Sequence, residues 1–232
     1  MQSVTKKQIP LGMSISENLK YILSTIPQNV KLIAVSKTKP KESILEAYHL
    51  GQKIFGENKA QELAAKHKEL PADIEWHMIG HLQSNKVKYI APFVALIHSV
   101  DSLSLLQEIN KQALKNNRSI KVLLQFHIAE EESKFGFSQE EALNLLDSQK
   151  YQALHNIEIC GVMGMATFTK NQTQIQKEFK QLKQIFNTIK NAHFATKEGF
   201  KEISMGMSGD YLLAIQEGST LVRVGSSIFG ER

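Results

Sequence analysis

The chain of 232 residues contains a single cysteine, Cys160. No intrachain disulfide can therefore form, which fits a reducing compartment. Cys160 lies in the apolar run "IEICGVMGMA" and reads as a small core side chain. No apolar run approaches the roughly 20 residues that a bilayer-spanning helix needs. The N-terminal stretch "MQSVTKKQIPLGMSI" lacks the continuous hydrophobic segment of a secretory signal. These absences leave a soluble cytoplasmic protein as the expectation. Massed charge of one sign is missing too. Lys and Arg number 28 against 23 Asp and Glu, a net charge of +5, and the lysines are scattered. The densest group, Lys177 to Lys190, is spaced around a helix and reads as a solvated face. A nucleic-acid footprint needs basic side chains gathered on one face, with aromatic platforms for single strands. Neither nucleic acid nor a membrane is thus expected as a partner. Linkers, low-complexity tracts and strong internal repeats are also lacking.

What is present is alternation. Hydrophobic residues make up 42% of the chain, enough for a sizeable core. Short apolar or β-branched runs at 31–36, 53–56, 74–79, 94–99, 120–128, 157–164, 202–206 and 221–228 read as strands. Between them lie helix-period stretches such as Leu103, Leu106, Ile109, Ala113 and Phe179, Leu182, Ile185, Phe186, Ile189. Pro40 suits a first helical turn, Ser138 with Glu141 forms a capping box, and Gly218 closes "YLLAIQE". Such alternation implies a parallel sheet covered by helices. Eight units over this length point to a (β/α)8 barrel, with an open doubly wound sheet as the alternative. The last strand is followed only by "GER", and the segment 11–26 has helical spacing that could close the ring instead. The expected organisation is one barrel domain over 1–232, with 1–27 a helical segment packing on it.

In such a barrel, functional residues collect at the carboxyl ends of the strands. There "LIAVSKTKP" places Lys37 at the end of an inner strand, where it is either solvated or available as an amine. Asn58, His77, His81, Asp101 and His127 occupy corresponding places after later strands. "SMGMSGD" and "VRVGSSIFG" then read as an anion site. Ser208 and Gly209 precede a helix starting near Asp210; Gly225 allows close backbone approach, and Ser226 and Ser227 add hydroxyls. A desolvated lysine loses basicity, and its neutral amine can attack a carbonyl to give a Schiff base. A lysine on the first strand, facing a phosphate site across the barrel, suits a phosphorylated aldehyde, and pyridoxal phosphate is the candidate. Arg223 lies on the same strand face as Gly225 and could reach a pyridine nitrogen. Its alternative role is an interior ion pair, for example with Glu57.

Together, "IAVSKTKP", "FGENKAQE", "WHMIGHLQSNKVK", "HSVDS", "AEEESKFGF", "SMGMSGDYLLAIQEGST" and "VRVGSSIFGER" resemble the pyridoxal phosphate homeostasis proteins over nearly the whole chain. The resemblance implies a fold-type III pyridoxal phosphate barrel like the first domain of alanine racemase, without its C-terminal β-rich domain. It implies pyridoxal 5'-phosphate bound covalently to Lys37 as a Schiff base. Ser208, Gly225 and Ser226 would bind the phosphate, with Ser204 contributing, and Arg223 would face the pyridine nitrogen. Asn58 and His81 would lie near the ring or the cofactor entrance. Three departures stand out: Ser226 replaces a commoner threonine, His127 an expected asparagine, and "GVMGMAT" lacks a proline usual after the sixth strand.

The implied role is storage, buffering or delivery of pyridoxal phosphate, without strong catalysis, catalytic residues or metal of its own. An arginine never gives up its proton in proteins. Facing the pyridine nitrogen, it would weaken the ring as an electron sink. Racemisation also needs acid–base groups on both faces of the substrate carbon; Lys37 supplies one, and nothing in the sequence places His81 or a neighbouring tyrosine as the other. A small fold-type III racemase is the alternative; a Schiff-base aldolase of sugar phosphates and a nucleic-acid-binding module are more remote. Lys39, His81 and Lys86 near the mouth are candidates to assist transfer, although Lys39 and Lys86 read more simply as solvated side chains. The implied partners are the cofactor and the pyridoxal phosphate-dependent apo-enzymes that receive it, and the chain is expected to be a monomer.

Overall fold

The computed structural model describes residues 14–130 and 136–231. Residues 1–13 of the expected N-terminal segment, and 131–135 of "AEEESKFGF", lie outside that range. Strands β1 (Lys31–Val35), β2 (Ile54–Glu57), β3 (Glu75–Met78), β4 (Leu96–Val100), β5 (Ile120–His127), β6 (Ile157–Met165), β7 (Glu202–Met207) and β8 (Leu221–Val224) pair in parallel in chain order. The eighth pairs back to the first, Ile33 opposite Arg223 and Ala34 opposite Val224. The sheet is a closed barrel, so the open doubly wound alternative falls.

Helices follow the strands as the sequence periodicity requires. They are α1 (Ile15–Thr25), α2 (Lys41–His49), α3 (Ala60–Glu69), α4 (Val87–Ile90), α5 (Leu103–Lys115), α6 (Gln139–Asp147), α7 (Gln149–Gln152), α8 (Gln172–His193), α9 (Tyr211–Gln216) and α10 (Ser226–Phe229). Ser138 caps α6 with Glu141 in the expected reciprocal pair. In α8 the buried stripe is Ile175, Phe179, Leu182, Ile185, Phe186 and Ile189, leaving Lys177 and Lys180 in solvent. Gly218 sits just past α9 with φ +93, a backbone conformation that glycine adopts freely.

One boundary differs from expectation. The last strand was expected over 221–228, but it stops at Val224, and Ser226–Phe229 turn into α10. Gly225 makes the break with ψ −75, outside the extended range. This helix is only one turn long, and α1 packs against it, Asn18 Nδ2 donating to the Ile228 carbonyl at 3.1 Å. The N-terminal helix thus covers what a full eighth helix would.

Two apolar clusters result. The larger fills the space between sheet and helices, and the smaller plugs the barrel with Ile33, Leu96, Leu123, Cys160, Met163 and Leu221. Burial pushes the Cys160 thiol up to about 12, so it is an inert core residue, as its sequence context suggested. Two residues further along their strands, the inward positions become polar: His98 follows Leu96, Gln125 follows Leu123 and Arg223 follows Leu221, all buried.

Candidate functional site

Lys37 stands two residues beyond the end of β1, half-buried, on the strand face that carries Ile33 and Val35. Its amine has no hydrogen-bond or ion-pair partner among the described residues. The residues on either side of it are held tightly. Ser36 donates its hydroxyl to Glu57 Oε1 at 2.6 Å, and its carbonyl accepts from Lys66 Nζ at 2.8 Å. The Thr38 amide donates to Glu62 Oε1 at 2.6 Å, with Thr38 in the left-handed region at φ 63. Lys66 joins the two carboxylates, at 2.9 Å from Glu57 and 2.8 Å from Glu62. Burial pushes the Glu57 carboxyl up, against the pull of Ser36 and Lys66.

The two expected anion loops meet. Met207 to Asp210 form a turn closed by Asp210 N–H to the Met207 carbonyl at 3.1 Å, with Ser208 and Gly209 at its tip. Ser208 Oγ accepts the Gly225 amide at 3.2 Å, which fastens the loop after β7 to the loop after β8. Helix α10 begins at Ser226, so the amides of Ser226 and Ser227 lack intrahelical acceptors. A methyl group on Gly225 would lie 3.1 Å from the Val35 carbonyl oxygen and 3.2 Å from its Cβ. Any side chain here would force β1 or this loop to give by a few tenths of an ångström. One expectation is corrected here. The anion loops were expected to face Lys37 across the barrel, but ring closure makes β8 the neighbour of β1, so they flank it.

Below the mouth, a buried polar chain crosses the interior. His77 Nδ1 lies 3.0 Å from His98 Nε2, His98 Nδ1 lies 2.8 Å from Ser204 Oγ, and Arg223 donates to Ser204 Oγ and to the Gly164 carbonyl. Arg223 can only donate, so Ser204 accepts from it. The Ser204 proton then finds an acceptor at His98 Nδ1, and His98 Nε2–H points to His77. Burial holds His77 down to about 3 and His98 well below the ordinary imidazole range, so both are neutral near pH 7. Burial also lowers Arg223 to about 10, which leaves it charged.

Ser204 is fully buried, and its hydroxyl is engaged by His98 and Arg223, four residues before Ser208. One expectation is altered. The Arg223–Glu57 ion pair does not form. Glu57 follows the inward-facing Gly56 and so points out of the barrel toward Lys66. His98 lies inside β4 and not at its end; its period-two spacing from the inward Leu96 is the sequence signal that places it in the interior.

Asn58 directly follows β2, half-buried, and Gly80 packs against its backbone, where an added Cβ would sit 2.6 Å from the Asn58 carbonyl oxygen. His81 is exposed at the mouth, its Nδ1 3.3 Å from Asp101 Oδ2. Lys39 departs from its solvated reading: Nζ donates to the carbonyls of Phe229, Gly230 and Glu231, each at 3.0 Å, and so ties the first βα turn to the end of α10. The loop after β6, which lacks proline, is set by Thr167, whose amide and hydroxyl both reach the Glu178 carboxylate at 2.7 Å.

The family model for the alanine racemase N-terminal domain matches residues 13–232. The chain is 40% identical over 204 residues to the pyridoxal phosphate homeostasis protein of Aquifex aeolicus, covering 87% of each chain. PipY of Synechococcus elongatus, solved without and with bound pyridoxal phosphate, is 36% identical to it. The two structures superpose at TM-scores of 0.87 and 0.85, covering 94% of this chain and all of theirs. An alanine racemase from Clostridium difficile shares the fold at a TM-score of 0.75 with 14% identity, over 94% of this chain and 60% of its own. Barrel and sequence agree, and the chain belongs to the pyridoxal phosphate homeostasis proteins of the alanine racemase N-terminal domain family.

Proposed function

We propose that this chain is a single barrel domain that binds pyridoxal 5'-phosphate on Lys37 and serves its homeostasis by storing, buffering or delivering it. The observation that carries the reading is the pairing of Lys37, whose amine has no partner among the described residues, with an anion site after β7 and β8, the latter strand adjacent to β1. The site is made of Ser208, the amides of the first turn of α10, and the hydroxyl of Ser226. These residues fit a phosphate monoester, since hydroxyls and unused amides are its ordinary partners. The cofactor, when bound, supplies an aldehyde that can bond reversibly to the lysine amine. Lys37 supplies that amine, Gly225 lets the phosphate approach the backbone, and Arg223 presents a charged donor toward the ring nitrogen. Asn58 and His81 border the entrance.

A guanidinium at that nitrogen disfavours proton transfer to the ring and so weakens it as an electron sink. The proposed setting is cytoplasmic, as a monomer that passes the cofactor to apo-enzymes. Among the described residues no helix is long and apolar enough to cross a membrane. The test is spectroscopic. Purified protein mixed with pyridoxal phosphate is expected to gain a visible band that borohydride removes, with the reduced adduct recovered on the peptide containing Lys37. The Lys37→Ala variant should lack both. A colourless wild-type protein, or an adduct on another peptide, would overturn the reading.

A further inference from the structure

We infer that Glu57, Glu62 and Lys66 are positioning residues for Lys37, holding the turn that aims its amine into the barrel mouth; the inference rests on the function proposed above. None of the three is hydrogen-bonded or ion-paired to the lysine. They act through its neighbours: Ser36 is bonded by hydroxyl to Glu57 and by carbonyl to Lys66, and Thr38 is bonded by its amide to Glu62. One ammonium spans both carboxylates, so the position of Ser36 is coupled to that of Thr38 through a rigid charged bridge.

Two features separate this cluster from an ordinary stabilising ion pair. Glu57 is fully buried, yet its Oε2 has no hydrogen-bond partner. A buried ion pair of that kind contributes little to stability compared with apolar side chains of similar volume. Thr38, a β-branched residue, is held at φ 63, a conformation with a real steric cost that surrounding bonds must maintain. Thr38 directly follows the lysine, and Glu57 holds Ser36, the residue directly before it. A strained turn fixed by a buried charge restricts where the Lys37 side chain starts, and so raises the fraction of time its amine meets an incoming aldehyde.

The test separates bond formation at Lys37 from binding to the rest of the site. Wild type, Glu57→Gln, Lys66→Met and Lys66→Arg are titrated with pyridoxal phosphate by the visible band, and with pyridoxine phosphate by calorimetry. The second ligand keeps the ring and phosphate but carries an alcohol that cannot bond to an amine. Glu57→Gln and Lys66→Met should weaken the aldehyde about tenfold, the worth of one charge-assisted bond. Pyridoxine phosphate affinity should stay unchanged, and Lys66→Arg should restore most of the loss. Equal weakening of both ligands, or no weakening of either, would overturn the inference. Should Glu57→Gln fail to fold, Glu62→Gln at the more exposed end of the cluster decides by the same two titrations. A wild type that binds pyridoxine phosphate yet forms no band would sink the Lys37 reading itself, and the inference with it.

Discussion

At the scale of single residues, the buried histidines make stability depend on acid. His77 and His98 are neutral in the folded barrel, with protonation pushed far below the 6.5 of a free imidazole, to about 3 for His77. Between those values the unfolded chain binds protons that the folded chain refuses, so stability is lost as pH falls below about 6.5. Each histidine should steepen that loss by about 1.4 kcal/mol per pH unit. Glu57 works the other way, because burial raises its carboxyl above 4.5 and the folded chain takes up its proton first. His67, lowered by burial, and the carboxyls of Glu17, Glu62, Asp73 and Glu141, held low by their hydrogen bonds, act in the same direction as His77 and His98, so acid destabilisation wins. Urea unfolding at a series of pH values should show the acid limb, and His77→Gln should reduce its slope by about one histidine's share. An unchanged slope would place the pH dependence elsewhere.

At the scale of elements, the strands are specified by alternation, and one of their irregularities by glycine. Strand β6 shifts register against β5 between Val122 and Leu123, with Ile159 and Gly161 as consecutive partners and Cys160 between them. Gly161 lies at φ +154, and a Cβ there would fall 1.8 Å from the Glu202 carbonyl oxygen on β7. No side chain can be housed at that distance without parting two strands of a closed ring. Gly161→Ala should therefore lower unfolding stability by about 4 kcal/mol or prevent folding, well beyond the ordinary range for one substitution. Chemical denaturation measures it, and a loss below about 1 kcal/mol would mean that the ring opens easily at this seam.

At the scale of the whole molecule, ring closure decides what the mouth can do. Because β8 lies beside β1, the anion loops and Lys37 share one side of the opening, while His81 with Asp101 stands after β3 and β4. Lys37 is one acid–base group, and racemisation needs a second on the opposite face of the substrate carbon. The expected outcome of incubating the loaded protein with L-alanine in heavy water is no accumulation of D-alanine and no more α-deuteration than free pyridoxal phosphate gives. Turnover faster than that, abolished by His81→Ala, would favour the racemase alternative over a carrier.

The sequence by itself determined the barrel, the places of the strands and the residues at the mouth, because period-two and period-3.6 patterns are local and each inward or outward choice is made within a few residues. It marked Lys37, Ser208, Gly225 and Ser226 as exceptional, since polar and glycine residues at successive strand ends exceed what packing alone requires. Only tertiary structure decided that the anion loops flank the lysine instead of facing it, since adjacency of first and last strands is a property of the closed ring. It also gave Ser204 to the histidines, Glu57 to Lys66 and Lys39 to the carbonyls of the last turn. Hydrogen bonds join residues that are far apart in the chain, and a buried donor takes whichever acceptor the fold brings within about 3 Å.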